Sequence, residues 1–287
     1  MEGLRIRPDG IYVDLTYGSG QSSANILRQL TQAGHLYAFD QDADACANAM
    51  QDERFTFIPA NFRYLKKYLQ YHGVSQVDGI LADLGVSSHQ FDVAERGFST
   101  RFDGPLDMRM DQRKSRTAAM VLATYSEEEL ADLFYRYGEI FNARKLAAVI
   151  VQARSAAPIV QTADLRRVTA PCAPKNRENR YLAQLFQALR IEVNQEMEVL
   201  EEMLRQSVEL LRPGGRLVII SYHSLEDRMV KQFMRSGNVG GKIEKDMFGN
   251  AHLPFRLITR KAIVPDAEEI ASNNRSRSAK LRICEKI

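Results

Sequence analysis

The segment VDLTYGSGQSS, residues 13–23, combines one carboxylate, two glycines and several hydroxyl side chains. The apolar run 11–13 before it predicts a buried strand, and SSANILRQLTQAG after it predicts a helix that ends at Gly34. Glycines let a ligand approach the backbone closely, and the start of a helix offers N–H groups and a partial positive charge. The segment therefore predicts a binding site for a nucleotide-like ligand.

Spacing within this turn separates two classes of ligand. Gly18 and Gly20 are present, but Ser23 stands where a nicotinamide-binding turn places its third glycine. Asp14 lies four residues before the first glycine, a spacing typical of methyltransferases that use S-adenosylmethionine (SAM). A carboxylate there can face the cationic aminoacyl end of SAM, directly or through water. Asp40, at the end of the next predicted strand, suits two ribose hydroxyls, or alternatively the N-cap of the following helix.

Short apolar runs alternate with helical patterns in the first third of the chain, and these elements must position the turn. Strands are predicted at 35–40, 55–60 and 77–85, with helical patterns between them. Repeated β-α units of this kind predict a doubly wound, mostly parallel sheet with its ligands at the carboxyl ends of the strands. Asp83 closes the fourth strand, where it can face an adenine amine or the substrate, or form an ordinary turn.

From about Met108 to Asn194 the pattern changes to amphipathic helices, and strands resume at 216–222, near 255–260 and at 280–284. The economical interpretation is one α/β sheet domain interrupted by a helical insertion. The predicted division assigns residues 1–107 and 196–287 to the two parts of the core and residues 108–195 to the inserted domain.

Composition places the chain among ordinary globular proteins, with 45% hydrophobic and 26% charged residues. No apolar run approaches the roughly 18 residues of a membrane span, and the start of the chain has no export signal. Cys46, Cys172 and Cys284 are widely spaced, so reduced structural thiols in the cytoplasm are expected, without a metal centre.

Four longer segments carry a resemblance to a known family. They are DGILADLGVSSHQFDVAERGFSTRFDGPLDMRMD (78–111), NRYLAQLFQALRIEVNQEMEVLEE (179–202), RPGGRLVIISYHSLEDRMVKQFMR (212–235) and RSRSAKLR (275–282). Together they resemble the bacterial 16S rRNA (cytosine-N4)-methyltransferases, and the similarity runs from about Arg7 to Ile287. The resemblance implies a Rossmann-like SAM-binding domain with a helical, substrate-binding insertion. It also implies methylation of the N4 amine of one decoding-region cytosine in the small ribosomal subunit.

The resemblance further implies which residues bind SAM. Two of them also have physical arguments of their own: Phe62 offers an apolar face for adenine or a core contact, and Gln90 can donate and accept hydrogen bonds at once. The full set is Gly20, Gln21, Ser22, Asp40, Phe62, Asp83 and Gln90.

Two features depart from the family pattern. The family's loop usually reads G-G-H-S, whereas this chain has Gly20-Gln21-Ser22-Ser23, so no imidazole is expected there. The family also usually begins with a short segment carrying a histidine and an acid before the RPDG turn. This chain has only seven residues before Pro8, so either this version lacks that segment or the chain has been cut.

The chemistry of an amine sets what the catalytic residues must do. The lone pair of the cytosine N4 amine is delocalised into the ring, so the enzyme must align it with the methyl group and accept a proton. Asp83 is the first candidate for the catalytic acceptor, with Ser87 or Ser88 in support. The segment DLGVSS stands where many amino-methylases of DNA have a D/N/S-P-P-Y/F motif.

Several charged segments are candidates for substrate contact. In SYHSLEDR, His223 could meet phosphate or base and Arg228 phosphate, while Ser224 and Asp227 have the spacing of a helix cap. A target cytosine must also leave its stack to be reached. Three charged residues of the segment LDMRMD could shape the entrance for that cytosine or form a charge network: Asp107, Arg109 and Asp111. The other candidates are cations of the insertion (Arg166, Arg167, Lys175, Arg177, Arg180) and cations of the tail (Arg275, Arg277, Lys280, Arg282).

Alternatives remain at this point. The chain could methylate another amine, on DNA or protein, or bind SAM as a regulator or RNA-binding assembly factor without turnover. Both monomer and homodimer remain open, and a buried decoding-site target favours the assembled subunit over free rRNA as the substrate.

Overall fold

The computed structural model describes residues 2–251 and 253–287, and within them seven strands form one sheet. The strands are β1 (Ile11–Asp14), β2 (His35–Phe39), β3 (Phe55–Ile58), β4 (Val77–Asp83), β5 (Leu211–Ser221), β6 (Phe255–Leu257) and β7 (Lys280–Lys286). Their order is β3-β2-β1-β4-β5-β7-β6. Neighbours among β1 to β5 run parallel, and β7 runs antiparallel to both β5 and β6. The expected doubly wound, mostly parallel α/β sheet is confirmed.

Helices cover most of the remaining chain. They are α1 (Gln21–Leu27), α2 (Ala43–Cys46), α3 (Leu65–Tyr71), α4 (Ser88–Asp92), α5 (Ala118–Thr124), α6 (Glu127–Gly138), α7 (Ala143–Ala156), α8 (Thr162–Thr169), α9 (Glu178–Asn194), α10 (Glu196–Leu210), α11 (Ser224–Ser236) and α12 (Ala267–Ser272). Short 3-10 helices cover Glu2–Leu4, Phe62–Tyr64, Ala94–Arg96, Ala170–Cys172 and Asn274–Ser278.

The central strands contain continuous apolar runs because both faces of the sheet are covered there. Side chains of a strand alternate between faces, and the buried clusters follow that alternation. Val13 and Ile80 belong to one cluster, whereas Tyr12 and Leu81 belong to another. The continuous apolar runs that predicted the strands therefore reflect burial on two sides.

Two elements differ from the sequence-based expectation. Helix α1 ends at Leu27 instead of reaching Gly34, and the Arg54 guanidinium donates to the carbonyls of Leu27 and Leu30 at that end. Strand β5 starts at Leu211, so the predicted RPGG turn lies inside it as a bulge. Its partner on β4 changes from Leu211 opposite Val77 to Arg216 opposite Gly79, which accommodates the extra residues.

The chain forms two compact units by its internal packing. The first contains residues 1–85 and 197–287 and holds the sheet, and the second is Val86–Glu196. By its packing, the second unit therefore starts at Val86, whereas the sequence predicted a start at residue 108. The reason is that Phe98 and Leu106 are buried in the core of the second unit, together with helical residues such as Phe134.

The second unit consists of helices α4 to α9 around its own apolar core. Its first segment is anchored by the buried Asn194 side chain, which accepts from the Met110 N–H and donates to the Met108 carbonyl, both at 2.8 Å. These bonds hold an irregular stretch that lacks the periodicity of a helix or strand. That this unit binds substrate remains a prediction.

Two further expectations concern the chain as a whole. In the part of the chain that is described, none of the helices has both the length and the apolar character needed to cross a membrane. Cys46 is exposed and Cys172 and Cys284 are buried, and all three are free thiols, as expected. Burial raises the pKa of the Cys172 and Cys284 thiols, which makes them poor nucleophiles.

Candidate active site

The glycine turn after β1 needs its glycines for identifiable steric reasons. Gly18 and Gly20 both have positive φ, at 52° and 78°. A Cβ at Gly20 would come within 2.6 Å of the Tyr17 hydroxyl, which itself donates to the Asn48 carbonyl. The turn is thus packed tightly on its own aromatic residue and leads directly into α1, whose first residues are Gln21 and Ser22.

Asp14 is not exposed for the direct ligand contact that its spacing suggested. Its side chain is fully buried and accepts hydrogen bonds from Ser23 Oγ at 2.7 Å and from the Thr16 N–H at 3.1 Å. Burial raises its pKa to about 6, against the opposing effect of the Ser23 hydrogen bond. Asp14 therefore stabilises the turn through these two hydrogen bonds. Ser23, which stands at the third glycine position, supplies the hydroxyl donor of one of them.

Asp40 lies at the end of β2 beside the glycine turn. Its Oδ2 accepts from the Gly18 N–H at 2.8 Å, and its Oδ1 accepts from the Asp42 N–H at 2.9 Å. Burial raises the pKa of Asp40, although both hydrogen bonds oppose that rise. The alternative of Asp40 as a helix cap is wrong, because Asp42 caps α2 by accepting from the Asp44 N–H.

The segment after β3 is tied to the segment after β2. Asn61 Nδ2 donates to Gln41 Oε1 at 2.8 Å, and Asn61 Oδ1 caps the short helix that begins at Phe62. Phe62 is half-buried and packs against the main core of the sheet. It therefore makes the core contact that was weighed as an alternative, and part of its ring remains accessible.

Asp83 lies where β4 ends, next to the turn after β1 and the segment after β5. Its backbone N–H donates to Thr16 Oγ1 at 2.7 Å, and its Oδ1 accepts from the Tyr222 hydroxyl at 2.9 Å. Burial raises the pKa of Asp83, with the Tyr222 hydrogen bond opposing. Burial also raises the pKa of Tyr222, helped by the nearby Asp83 charge. The phenol thus keeps its proton and acts as the donor.

Sequence reasoning missed Thr16 and Tyr222. Each lies just beyond the end of a strand whose neighbour ends at Asp83, and that adjacency follows from the strand order alone. Tyr222 directly follows the apolar strand β5, and this position could have indicated a phenol at the site. The sequence interpretation instead favoured the neighbouring His223.

His223 and Glu226 form the cap of α11, which corrects the expected cap by Ser224 and Asp227. His223 is the N-cap residue, and Glu226 reaches back to the backbone N–H of Tyr222 at 2.9 Å. His223 Nε2 also lies 3.1 Å from Glu226 Oε1, and both side chains are buried. The imidazole is therefore engaged in local structure, which weakens its expected role in contacting phosphate or base.

Asp227 instead binds the basic tail. It accepts from Arg282 Nε at 2.7 Å and from Lys280 Nζ at 3.1 Å. Although burial raises the pKa of Asp227, these two cations outweigh it and hold the pKa below its usual range. Lys280 and Arg282 are thus structural, while Arg275 and Arg277 are exposed in the short helix before β7.

Gln90 and the two candidate serines belong to the second unit. Ser87 is the N-cap of α4, and its Oγ accepts from the Gln90 N–H at 3.2 Å while Gln90 Oε1 accepts from the Ser87 N–H at 3.1 Å. Gln90 is buried, and Ser88 is exposed. The Ser87 hydroxyl and the Gln90 carbonyl therefore hold the start of α4, whatever else these residues do.

The remaining charged candidates form local pairs in the second unit. Arg109 makes two hydrogen bonds to the carboxylate of Asp107, and Asp111 pairs with Arg113. These pairs are the charge network that was weighed against an entrance role, but they are local to residues 107–113. Arg166 pairs with Asp103 and Arg167 with Asp164, whereas three other cations are exposed: Lys175, Arg177 and Arg180.

Comparison with known proteins identifies full-length relatives. The model of the MraW methylase family matches residues 1–287. A "Ribosomal RNA small subunit methyltransferase H" of Parabacteroides distasonis is 58% identical and covers 100% of this chain and 94% of its own length. The protein of the same name from Flavobacterium johnsoniae is also 58% identical, over 100% of this chain and 95% of its own. A solved rRNA methylase structure from Streptococcus thermophilus superposes with a TM-score of 0.42 at 13% identity, covering 100% of this chain and 93% of that one.

Proposed function

Because the chain belongs to the MraW methylase family, we propose that it transfers a methyl group from SAM to the N4 amine of one cytosine in 16S rRNA. The substrate is the small ribosomal subunit in the cytoplasm. The observation that carries the proposal is the meeting of Asp40 and Asp83 with the glycine turn at the carboxyl ends of β1, β2 and β4. The strand order changes direction between β1 and β4, which is where ligands bind in doubly wound sheets.

The residues at this edge fit SAM. A carboxylate has about four acceptor positions, so Asp40 keeps acceptor capacity for a ribose hydroxyl beside its backbone hydrogen bonds. The accessible part of Phe62 offers an apolar surface for adenine, and the glycine turn, which is exposed at Ser19, is assigned to the aminoacyl end. Gln21, Ser22 and Gln90 are assigned to the same ligand from the resemblance.

SAM supplies an electrophilic methyl group on a sulfonium. The protein must therefore orient the weakly nucleophilic amine and take up the proton that leaves as the new C–N bond forms. Asp83 suits that role because burial raises the pKa of its carboxyl, so the group is a better proton acceptor than an exposed carboxylate. Tyr222 positions it, and Thr16 holds its backbone.

A methyl-transfer assay separates this function from its competitors. The full chain is incubated with tritiated SAM and, in parallel, unmethylated small subunits, naked 16S rRNA, DNA and a protein mixture. We expect transfer to the small subunit, with less to naked rRNA and none to DNA or protein. SAM binding without transfer to any substrate would contradict the proposal and favour a regulator or assembly factor.

A further inference from the structure

Asn142 holds together three surface segments of the second unit. Its Nδ2 donates to the Cys172 carbonyl at 2.9 Å, and its Oδ1 accepts from the Tyr181 hydroxyl at 3.0 Å. These bonds join the turn before α7, the loop before α9 and the first turn of α9. The exposed residues around this junction are called the Asn142 corner: Phe141, Arg144, Lys145, Lys175, Arg177 and Arg180.

The Asn142 corner is strongly positive. All five of its cations are exposed, and in the part of the chain that the structure describes none of their side chains forms an ion pair. The neighbouring acids are Glu139 and Glu178, so the cations are in excess. By contrast, Arg166 and Arg167 of the same unit are each paired with a carboxylate. A cluster of unpaired cations is the electrostatic signature of a phosphate-binding surface.

The first turn of α7 adds to this positive potential. The first turns of α6, α8 and α9 each contain an acidic residue, and those of α4 and α5 contain neither an acid nor a lysine or arginine. The first turn of α7 contains Arg144 and Lys145 and no acid. The start of a helix is already the positive end of its dipole. These two cations are therefore placed where they favour an external anion over the stability of their own helix.

Phe141 makes the corner more specific than a simple basic patch. Its side chain is 79% exposed, directly beside the cations of α7. An exposed aromatic ring next to unpaired cations suits RNA, because an unpaired base can stack on the ring while its phosphates meet the cations. A duplex keeps its bases stacked on one another, so it would contact only the cations of the corner through its phosphates.

We propose that the Asn142 corner binds a single-stranded segment of RNA, with Phe141 stacking on an unpaired base and the cations contacting phosphates. This inference rests on the proposed function, since it names the part of the RNA that meets the second unit. Among the cations expected to contact RNA, it also includes Arg144 and Lys145 in place of Arg166 and Arg167, which are paired with carboxylates.

The test measures RNA binding by the full chain with two probes, a single-stranded oligouridine of about twelve nucleotides and a duplex of the same length. We expect Phe141→Ala to weaken binding of the single strand about tenfold and that of the duplex less than about twofold. Arg144→Ala/Lys145→Ala should weaken both and reduce the log–log salt slope on the single strand by about 0.7 for each phosphate that is no longer neutralised. The matched control Arg136→Ala/Arg167→Ala removes the same charge from paired positions and should leave the slope close to wild type.

Three results would overturn the inference. One is equal loss of binding in the control and the corner double variants, and another is unchanged single-strand binding in Phe141→Ala. The third is a Phe141→Ala defect on whole small subunits but on neither RNA probe, which would indicate a protein partner. Methyl transfer by the wild type is scored separately. Its absence would overturn the proposed function, while the binding data still decide the role of the corner.

Discussion

The Tyr222 hydroxyl donates a hydrogen bond to Asp83 Oδ1 at 2.9 Å and thereby joins the carboxyl ends of β4 and β5. Thr16 Oγ1 accepts from the Asp83 backbone N–H, so the aspartate is held through both its side chain and its backbone. Among the described residues, Asp83 Oδ2 has no hydrogen-bond partner. That oxygen is free to accept from an amine, and this geometry is the basis of the catalytic assignment.

Removing the phenol hydroxyl should disturb Asp83 without removing it. In Tyr222→Phe the hydrogen bond that opposes the raised pKa of Asp83 is lost, so that pKa rises further. The acidic limb of the kcat profile should move to higher pH, and kcat near neutral pH should fall about tenfold. SAM affinity should stay within about twofold. Tyr71→Phe, at an exposed tyrosine, is the control, and an unchanged pH profile in Tyr222→Phe would remove the positioning role.

Replacing the carboxylate itself tests its chemical role. Asp83→Asn keeps the size of the side chain but loses its charge and basicity, so turnover should fall by roughly 10²–10⁴ while SAM affinity changes much less. Single-turnover kinetics and calorimetry measure the two quantities. A parallel fall in binding and turnover would make Asp83 a ligand of SAM only. The acceptor would then be sought at Ser87, Ser88 or His223.

Asp40 and Asp42 provide a matched pair for the cofactor site. Loss of the proposed ribose hydrogen bonds in Asp40→Ala should weaken SAM binding about ten- to a hundredfold. Asp42→Ala removes a helix cap two residues away, which should cost about 1 kcal/mol of stability with little change in affinity. Calorimetry and urea unfolding on both variants check this. Equal SAM affinities in the two variants would exclude Asp40 from the site.

Asp14 should give stability a specific dependence on pH. Its pKa is raised from 3.8 to about 6 in the folded state, so the folded protein holds a proton that the unfolded chain releases. Stability from this group is present below about pH 4 and is lost as pH rises through 6, by about 3 kcal/mol. Asp14→Asn should remove that loss, so its stability relative to wild type should increase between pH 4 and 7.

Urea unfolding of both proteins across that range is the measurement. Ser23→Ala is an internal check, because losing the Ser23 hydrogen bond raises the Asp14 pKa further and should carry the decline to higher pH. A constant stability difference between Asp14→Asn and wild type would contradict the buried, partly protonated state.

The sheet could be predicted because its strands are short apolar runs between helical patterns, and long amphipathic helices such as α6 and α9 were equally clear. Short elements were not. Helices α4 and α8 have few turns, and the segment between Val86 and Met110 is held by hydrogen bonds of Asn194 with Met108 and Met110 and by a few buried apolar residues instead of a periodic pattern. The start of the second unit was therefore placed too late.

The position of a candidate site residue was predictable where the strand pattern decides it. Asp40 and Asp83 could be placed because they end strands. Asp14 could not, because its role depends on a hydrogen bond from Ser23 that spacing alone does not show. The competition between Ser224 and His223 for one helix cap likewise depends on the backbone angle at the helix start.

The identity of the methylated atom tests the central claim most directly. Small subunits that lack the modification are treated with SAM and either wild type or Asp83→Asn, and the 16S rRNA is digested to nucleosides and analysed by mass spectrometry. The account predicts N4-methylcytidine at one site with the wild type, formed at least about a hundredfold more slowly with the variant. Methylation on another atom or another nucleoside, or equal rates with the two proteins, would contradict it.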